Sequence, residues 1–105
     1  MRMWKVPPEY LCNQHLLGEH LEMHMFASAV KEKKKIDGYL RNGLVEVHHI
    51  KKRHAELVSE MLKRGMHHQS PLPNFRAYRA GRVDAKNSMR TLAKRCGECR
   101  GRMRR

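Results

Sequence analysis

The first third of the chain carries apolar residues at helical spacing and contains few residues that break a helix. These apolar residues are Leu11, Leu17, Leu21, Met25, Phe26, Ala29 and Val30. Pro8 suits the first turn of a helix and Asp37-Gly38 is typical of its end, so the pattern predicts one long helix over 8–35. Pro7-Pro8 separates this helix from an extended arm of residues 1–7, because the residue before a proline is held out of the helical region.

A second helix is predicted from about Val45 to Arg64, where an amphipathic stripe has the same period. The stripe consists of Ile50, His54, Leu57, Val58, Met61 and Leu62. A shorter third helix is predicted over 84–95, with Asp84 as its N-cap. No segment of strand length alternates between apolar and polar residues. The pattern therefore predicts an all-α fold: a single compact domain of about three helices, with the arm packed against the first.

The length of 105 residues suits one domain. We expect it to comprise the arm (1–7), a helical core (8–73) and a basic C-terminal segment (74–105), with two prolines at the last boundary. Residues 1–73 hold 12 basic and 8 acidic residues, whereas residues 74–105 hold 11 basic and 2 acidic ones. The net charge of +13 favours a polyanionic partner, nucleic acid first and an anionic membrane second.

Several classes of protein are disfavoured by the sequence. No apolar run approaches the ~20 residues of a membrane span, and residues 1–5 lack the apolar core of a secretory signal. We therefore expect a cytoplasmic protein, nucleoid-associated when bound to DNA, with no membrane partner. Three cysteines, an odd number, argue against a disulfide framework. Cys96 and Cys99 form a single CxxC pair, while zinc takes four ligands. Cys12, or His67 and His68, could complete a site only through folding, so we predict reduced thiols and neither metal nor cofactor.

One face of the first predicted helix combines apolar residues with chemically distinctive ones. It carries Leu11, His15, Gly18, Glu22 and Met25. Gly18 costs up to about 1 kcal/mol relative to Ala, which is understandable if another backbone or a ligand comes close. Glu22 on this partly buried face is either paired with a His or Arg or functional, and the pattern alone favours the structural pair.

The arm is long enough to reach Glu22. Seven extended residues span at most ~23–25 Å, and the helix from Pro8 to Glu22 measures roughly 21 Å. If the arm folds back, the α-amine of Met1 lies beside the carboxylate. An α-amine is less basic than a lysine side chain, so an appreciable fraction is neutral and nucleophilic near pH 7. Because Arg2 is too large for methionine aminopeptidases, we expect Met1 to be retained.

Residues 11–22, with the sequence Leu-Cys-Asn-Gln-His-Leu-Leu-Gly-Glu-His-Leu-Glu, resemble the first helix of the pyrimidine-dimer DNA glycosylase/AP lyases, the family of the phage endonuclease V type. The arm and residues 50–65 and 67–72 are similar as well, most closely to the shorter bacterial-type members. The resemblance covers most of residues 1–73 and, more weakly, 83–99. It implies that an N-terminal amine attacks C1′ of a damaged nucleotide and expels the base as an imine forms. It also implies that a glutamate assists the β-elimination that nicks the strand.

Carried over by position, the resemblance implies catalytic roles for the Met1 amine and Glu22, and substrate contacts for Arg2, Gln14 and His15. The basic runs 31–35 and 51–53 and the arginine-rich C-terminal segment are candidates for phosphate contacts. The predicted substrate- and DNA-binding residues are Arg2, Gln14, His15, His20, Lys33, Lys34, Lys51, Arg64, His68 and Arg90. The expected partner is double-stranded DNA with a damaged base or an abasic site, bound by a monomer.

The sequence departs from the family at Leu21 and Met25, where the resemblance implies arginines. These departures affect the specificity for dimers more than the imine chemistry, and His20 and His24 are candidates to replace the arginines in part. The expected substrate is a pyrimidine dimer, with another damaged or modified base left open. Two alternatives remain: a non-catalytic basic helical DNA-binding protein that retains the fold, and a small zinc- or thiol-dependent accessory protein.

Overall fold

The computed structural model describes residues 1–68 and 70–105, which contain five α-helices and no strand. The helices are α1 (Asn13–Lys31), α2 (Asp37–Arg41), α3 (Ile50–Lys63), α4 (Ala85–Arg95) and α5 (Gly97–Met103). Single turns of 3-10 helix lie at Pro8–Tyr10 and Val47–His49. The all-α prediction is confirmed, but the expected number of about three helices is too low because α2 and α5 are short. Gln69, which belongs to a segment that carries the family resemblance, lies outside the described residues.

Helix α1 is shorter at both ends than the predicted range of 8–35. Pro8 opens a 3-10 turn, Leu11 returns to an extended conformation, and Cys12 then caps α1 by accepting a hydrogen bond from the amide of His15. At the other end, Lys33 adopts a left-handed conformation with φ of 57°. The Lys34 amide bonds to the carbonyl of Ala29 (2.9 Å), which closes the helix in the manner of a Schellman motif.

Helix α3 begins five residues later than predicted, because the chain before it makes backbone hydrogen bonds to other segments. The amide of Met3 in the arm donates to the carbonyl of Leu44 (2.6 Å), and the amide of Val47 donates to the carbonyl of Ala80 (3.0 Å). The carbonyl of Leu44, which would accept the first hydrogen bond of a helix starting at Val45, is thus used by the arm. Helix α4 agrees with the prediction, and Asp84 caps it through the amide of Asn87 (3.0 Å).

The core lies between α1 and α3, and α5 packs against the 3-10 turn that precedes α1. Its most deeply buried apolar side chains include Met3, Leu11, Leu16, Met23, Phe26, Ile50, Leu57 and Leu92. Met3, Trp4 and Val6 are all buried, so the arm is part of the core. Four apolar residues of the predicted stripes are exposed instead: Leu17, Leu21, Met25 and Leu62. None of the described helices combines the length and the apolar character needed to cross a membrane.

A buried ion pair joins the arm, α1 and α3. Arg53 on α3 forms a two-pronged contact with the carboxylate of Glu19 on α1, including a 2.9 Å bond from Nη2, and its Nη1 donates to the carbonyl of Val6 (2.8 Å). Both charged side chains are almost fully buried. Burial raises the pKa of Glu19, and the hydrogen bonds from Arg53 oppose this rise. Arg53, a candidate phosphate contact in the basic run 51–53, is therefore a structural residue.

A second buried carboxylate, that of Glu46, binds the arm at Lys5. It accepts hydrogen bonds from the amide of Val83 (2.7 Å), from Nζ of Lys5 (2.9 Å) and from the ring of His49. Burial alone would raise the pKa of Glu46, but these three hydrogen bonds outweigh it and lower the pKa to about 2. The ionised carboxylate thus holds the arm, the turn before α3 and the start of α4 together.

This lowered pKa predicts a loss of stability in acid. Because the folded pKa lies below the ordinary value of 4.5, the stabilisation is present above pH 4.5 and is lost as the pH falls towards 2. We expect the free energy of unfolding, measured with urea at a series of pH values, to fall less steeply over this range in Glu46→Gln than in the wild type. Glu9→Gln, which alters an exposed carboxylate, is the control. Equal slopes for wild type and Glu46→Gln would contradict the assignment.

The segment before α4 depends on Gly81. Its φ is +88°, and a Cβ at this position would lie 2.0 Å from the carbonyl oxygen of Val45. Gly65 also has a positive φ, of +79°, but a Cβ there would meet nothing within 4 Å. We expect Gly65→Ala to cost about 1–2 kcal/mol of unfolding free energy, the strain of a left-handed residue. Gly81→Ala adds a backbone clash to that strain and should cost at least about 1 kcal/mol more. Similar urea midpoints for the two variants would show that the clash relaxes without cost.

Candidate active site

The arm folds back along α1 and brings the first residues of the chain to Glu22. The backbone amide of Arg2 donates a hydrogen bond to Oε1 of Glu22 (2.6 Å). Three covalent bonds join this amide nitrogen to the nitrogen of Met1, so the two groups predicted to be catalytic lie within about 7 Å of each other. Met1, Arg2 and Glu22 are each half-buried. The arm, which the sequence predicted to be long enough to reach Glu22, therefore does reach it in the fold.

Glu22 differs from Glu19, one turn earlier on the same helix. Glu19 is paired with Arg53, whereas no ion pair involves Glu22 in residues 1–68 and 70–105. The structural pair that the pattern favoured for Glu22 is thus formed by Glu19 instead. The only hydrogen bond recorded to the Glu22 carboxylate within the same ranges comes from the main chain of Arg2. A carboxylate held in this way keeps its second oxygen available for another partner.

Gly18 leaves space beside that carboxylate. A Cβ at Gly18 would find Oε2 of Glu22 as its nearest neighbour, at 3.8 Å, which is an ordinary van der Waals distance. Among residues 1–68 and 70–105, no backbone outside α1 comes within 4 Å of such a Cβ, so of the two expected neighbours, a backbone or a ligand, only the ligand stays a prediction. The space beside Gly18 and Glu22 is open to a ligand.

Arg2 is held by residues that the sequence analysis did not single out. Its guanidinium lies 3.8 Å from the centre of the Trp4 ring, and Nη2 is 3.5 Å from Oγ of Ser88 on α4. Ser88 also donates to the carbonyl of Trp4. Burial lowers the pKa of Arg2, and so does the charge of Arg95, while the carboxylates of Glu19 and Glu22 raise it. The lone tryptophan of the arm was a usable signal, but nothing in the sequence distinguished Ser88.

His15 lies between the arm and a group of cysteines. Its ring is 6.0 Å from the ring of Trp4 in an edge-to-face arrangement. Its Nδ1 lies 3.2 Å from Sγ of Cys12 and 3.6 Å from Sγ of Cys99. His15 therefore contacts the arm, as a residue near the site would, but its Nδ1 faces sulfur. Gln14, the next predicted residue, is exposed in the first turn of α1.

His20 and His68, both predicted to contact DNA, pack against each other and against two further histidines. The ring centres of His20, His24, His54 and His68 lie 4.8–5.1 Å apart in the recorded pairs. Burial, and then the charges of the neighbouring histidines, lower the pKa of His20 and of His54 to about 4. Uncharged imidazoles bind phosphate weakly, so a phosphate contact by His20 stays a prediction.

Most of the predicted basic contacts are exposed on the surface of the molecule. Lys33, Lys34, Lys51 and Arg90 are exposed, and Lys34 pairs with Glu32 on the surface (2.9 Å). Arg64 is engaged inside the molecule, where it donates to Glu60 (2.8 Å), to Asn13 (3.0 Å) and to the carbonyl of Pro8 (3.2 Å). The described part of the chain records no hydrogen bond from these five residues to Met1, Arg2 or Glu22. Their DNA contacts also stay predictions.

One of three comparisons with known proteins found a match. Residues 1–74 match the family model described as pyrimidine dimer DNA glycosylase. No curated protein and no solved structure matches the chain. The matched residues include the arm, α1 with Glu22 and α3, and end before α4 and α5. The chain belongs to the family of the pyrimidine dimer DNA glycosylases.

Proposed function

We propose that the protein is a DNA glycosylase with AP lyase activity that uses the α-amine of Met1 and the carboxylate of Glu22. The observation that carries the proposal is the 2.6 Å hydrogen bond from the Arg2 amide to Glu22, which ties the first residues of the chain to a half-buried carboxylate with no ion-pair partner among the described residues. Nucleophile and acid–base group are then neighbours, as covalent catalysis requires.

The proposed reaction begins at C1′ of the damaged nucleotide. In a chain that begins at Met1, the neutral amine attacks C1′, the bond to the base breaks, and the base leaves with the electron pair and gains a proton. Glu22 takes the proton that the amine nitrogen loses in the attack and gives it to O4′ as the bond between C1′ and O4′ breaks and the imine forms. The carboxylate then takes a proton from C2′, and the bond between C3′ and its oxygen breaks. The strand on the 3′ side leaves with the phosphate on its 5′ end, so the DNA is nicked. Water hydrolyses the imine and frees the amine.

Charge on the basic C-terminal segment supports binding to duplex DNA. Residues 74–105 carry 11 basic and 2 acidic residues, and Arg76, Arg79, Arg82 and Arg90 are exposed. Each phosphate neutralised on binding adds about −0.9 to the slope of log affinity against log salt. Exposing a lesion from the duplex costs a few kcal/mol, which these contacts would offset.

Borohydride trapping on duplex DNA with an abasic site tests the proposal. Reduction of the imine should join protein to DNA covalently in the wild type, and the adduct should disappear when extra residues precede Met1. The extended protein should still bind the same DNA, because the added residues leave the basic segment unchanged. Adduct formation that persists in the extended protein would reject the Met1 amine as the nucleophile.

A second candidate function is non-catalytic DNA binding, which is favoured by two exposed apolar residues near Glu22. Leu21 and Met25 stand where the resemblance implies arginines, and they are 59% and 47% exposed. Tight binding to abasic and dimer-containing duplexes with no adduct and no nicking would support this candidate. A cleavage assay over a panel of lesions, with a cyclobutane pyrimidine dimer first, would identify the substrate if the chain is an enzyme.

A further inference from the structure

We propose that Cys12, His15, Cys96 and Cys99 bind a structural zinc ion. Their four candidate ligand atoms all lie within 4.8 Å of one another. Sγ of Cys12 is 3.2 Å from Nδ1 of His15 and 3.9 Å from Sγ of Cys96, and Sγ of Cys99 is 3.6 Å from the same Nδ1. A tetrahedral zinc site with Zn–S of about 2.3 Å and Zn–N of about 2.0 Å requires separations of about 3.5 Å between sulfur and nitrogen and about 3.8 Å between two sulfurs. The three separations given above lie within about 0.3 Å of these values, so small side-chain movements would bring the ligands to the geometry of such a site.

The ligands come in two pairs with the same spacing. Cys12 and His15 are three residues apart at the start of α1, and Cys96 and Cys99 are three residues apart at the start of α5. Two residues between paired ligands is a common spacing in structural zinc sites. The sequence shows a single CxxC pair, because the second pair of ligands contains a histidine and lies more than 80 residues away. The fold brings the two pairs of ligands together and so completes the set of four.

Backbone amides surround the sulfur atoms as they do in zinc–thiolate sites. The amide of Cys12 donates to Sγ of Cys99 (3.2 Å), the amide of His15 to Sγ of Cys12 (3.5 Å), and the amide of Cys99 to Sγ of Cys96 (3.4 Å). Such bonds orient the ligands and stabilise thiolate charge. A disulfide would use two of the three sulfurs and leave the third and His15 unexplained, whereas one tetrahedral ion uses all four groups.

The zinc site would fasten the C-terminal helices to the start of α1. Cys12 and His15 lie inside the family match of residues 1–74, whereas Cys96 and Cys99 lie outside it. His15 contacts Trp4, and Trp4 supports Arg2. Four protein ligands close the coordination sphere, so the ion has a structural role and no open position for a substrate.

An independent observation carries a second metal site, formed by His20, His24, His54 and His68. The Nε2 atoms of all four are buried, and none has a hydrogen-bond partner among residues 1–68 and 70–105. One candidate ligand nitrogen from each lies within 4.8 Å of the others. A buried polar atom without a partner is costly, and four of them in one place are explained by a common partner. Imidazole nitrogens suit zinc and neighbouring divalent transition metals.

Cobalt titration of the metal-free full-length protein tests both sites. We expect saturation at two equivalents of cobalt. The ion at the cysteine-containing site should show the intense near-ultraviolet absorption of thiolate-to-cobalt charge transfer, and the ion at the four-histidine site should show visible d–d bands alone. Cobalt bound without charge transfer, or not bound at all, would overturn the zinc site. Saturation at one equivalent with charge transfer would overturn the histidine site. Both readouts come from the wild-type chain, so they do not depend on any variant folding.

Variants then assign each ion, with zinc per chain measured by elemental analysis after dialysis. Cys96→Ser should hold one zinc fewer than the wild type, and its cobalt form should lack the charge-transfer band. His15→Cys should keep two zinc ions and the band in its cobalt form, because the new cysteine supplies a fourth thiolate. His68→Gln should lose the other zinc, while His67→Gln, at the exposed neighbouring position, should keep two. Two zinc ions per chain in Cys96→Ser or in His68→Gln would remove that residue from its site.

Discussion

Replacing Glu22 with Gln is expected to lower strand nicking at an abasic site by about 10²–10⁴-fold, the range for losing a general acid–base group. The amide oxygen of Gln can still accept the hydrogen bond from the Arg2 backbone, so the arm should keep its place. We expect the affinity for DNA to stay within a few-fold of the wild type. Nicking rates under single-turnover conditions and binding to the same duplex measure the two effects separately.

The loss of a negative charge needs its own control, because it strengthens attraction to DNA whatever its position. Glu9→Gln removes one exposed carboxylate and should change affinity slightly without changing the nicking rate. Nicking by Glu22→Gln at the rate of Glu9→Gln would exclude Glu22 from the mechanism. Equal loss of nicking and of binding would instead show that Glu22 positions the arm.

Replacing Arg53 with Ala is expected to lower the free energy of unfolding by about 3–5 kcal/mol. The substitution leaves the Glu19 carboxylate buried without its partner and removes the bond to the carbonyl of Val6. Removing one member of a buried pair is costly because the other charge remains uncompensated. Urea unfolding measures the effect, and Lys52→Ala, next to it but exposed, should change the free energy by less than about 0.5 kcal/mol.

The double variant Arg53→Ala with Glu19→Leu separates the cost of an orphaned charge from the value of the pair. If the orphaned carboxylate causes the loss, removing it should restore part of the stability lost in Arg53→Ala. A double variant no more stable than Arg53→Ala would mean that the lost packing and the lost Val6 contact, present in both variants, dominate at this position.

The sequence predicted the long amphipathic helices well and the short elements poorly. Helices α1, α3 and α4 are long enough for apolar residues to recur at a helical period, and Asp84 gave a local capping signal. Helix α2 has five residues and α5 seven, too few for a period to appear. The start of α1 was wrong because a proline suits a 3-10 turn as well as a helix. The start of α3 was wrong because residues 44–47 bond to the arm and to Ala80, which only the tertiary structure decides.

At the site, chain length showed only that the first residues could reach Glu22, and the family resemblance implied that they do. The helical pattern did not show that Glu19 forms the buried ion pair and that Glu22 is left without one, because the pair depends on Arg53, which lies on another helix. Arg53 itself looked like a surface charge beside Lys51 and Lys52. Clusters such as the four histidines draw on α1, α3 and the segment after α3, so their proximity exists only in the folded chain.

The hydrogen bond that ties the arm to Glu22 comes from a peptide nitrogen, which has a genetic consequence. Nearly every codon change at position 2 preserves that nitrogen and its hydrogen, so the contact tolerates variation in the side chain. Proline alone among the encoded residues lacks the hydrogen. A library at this position that is limited to residues too large for removal of Met1 should therefore retain arm placement in every member, while the stacking on Trp4 varies independently.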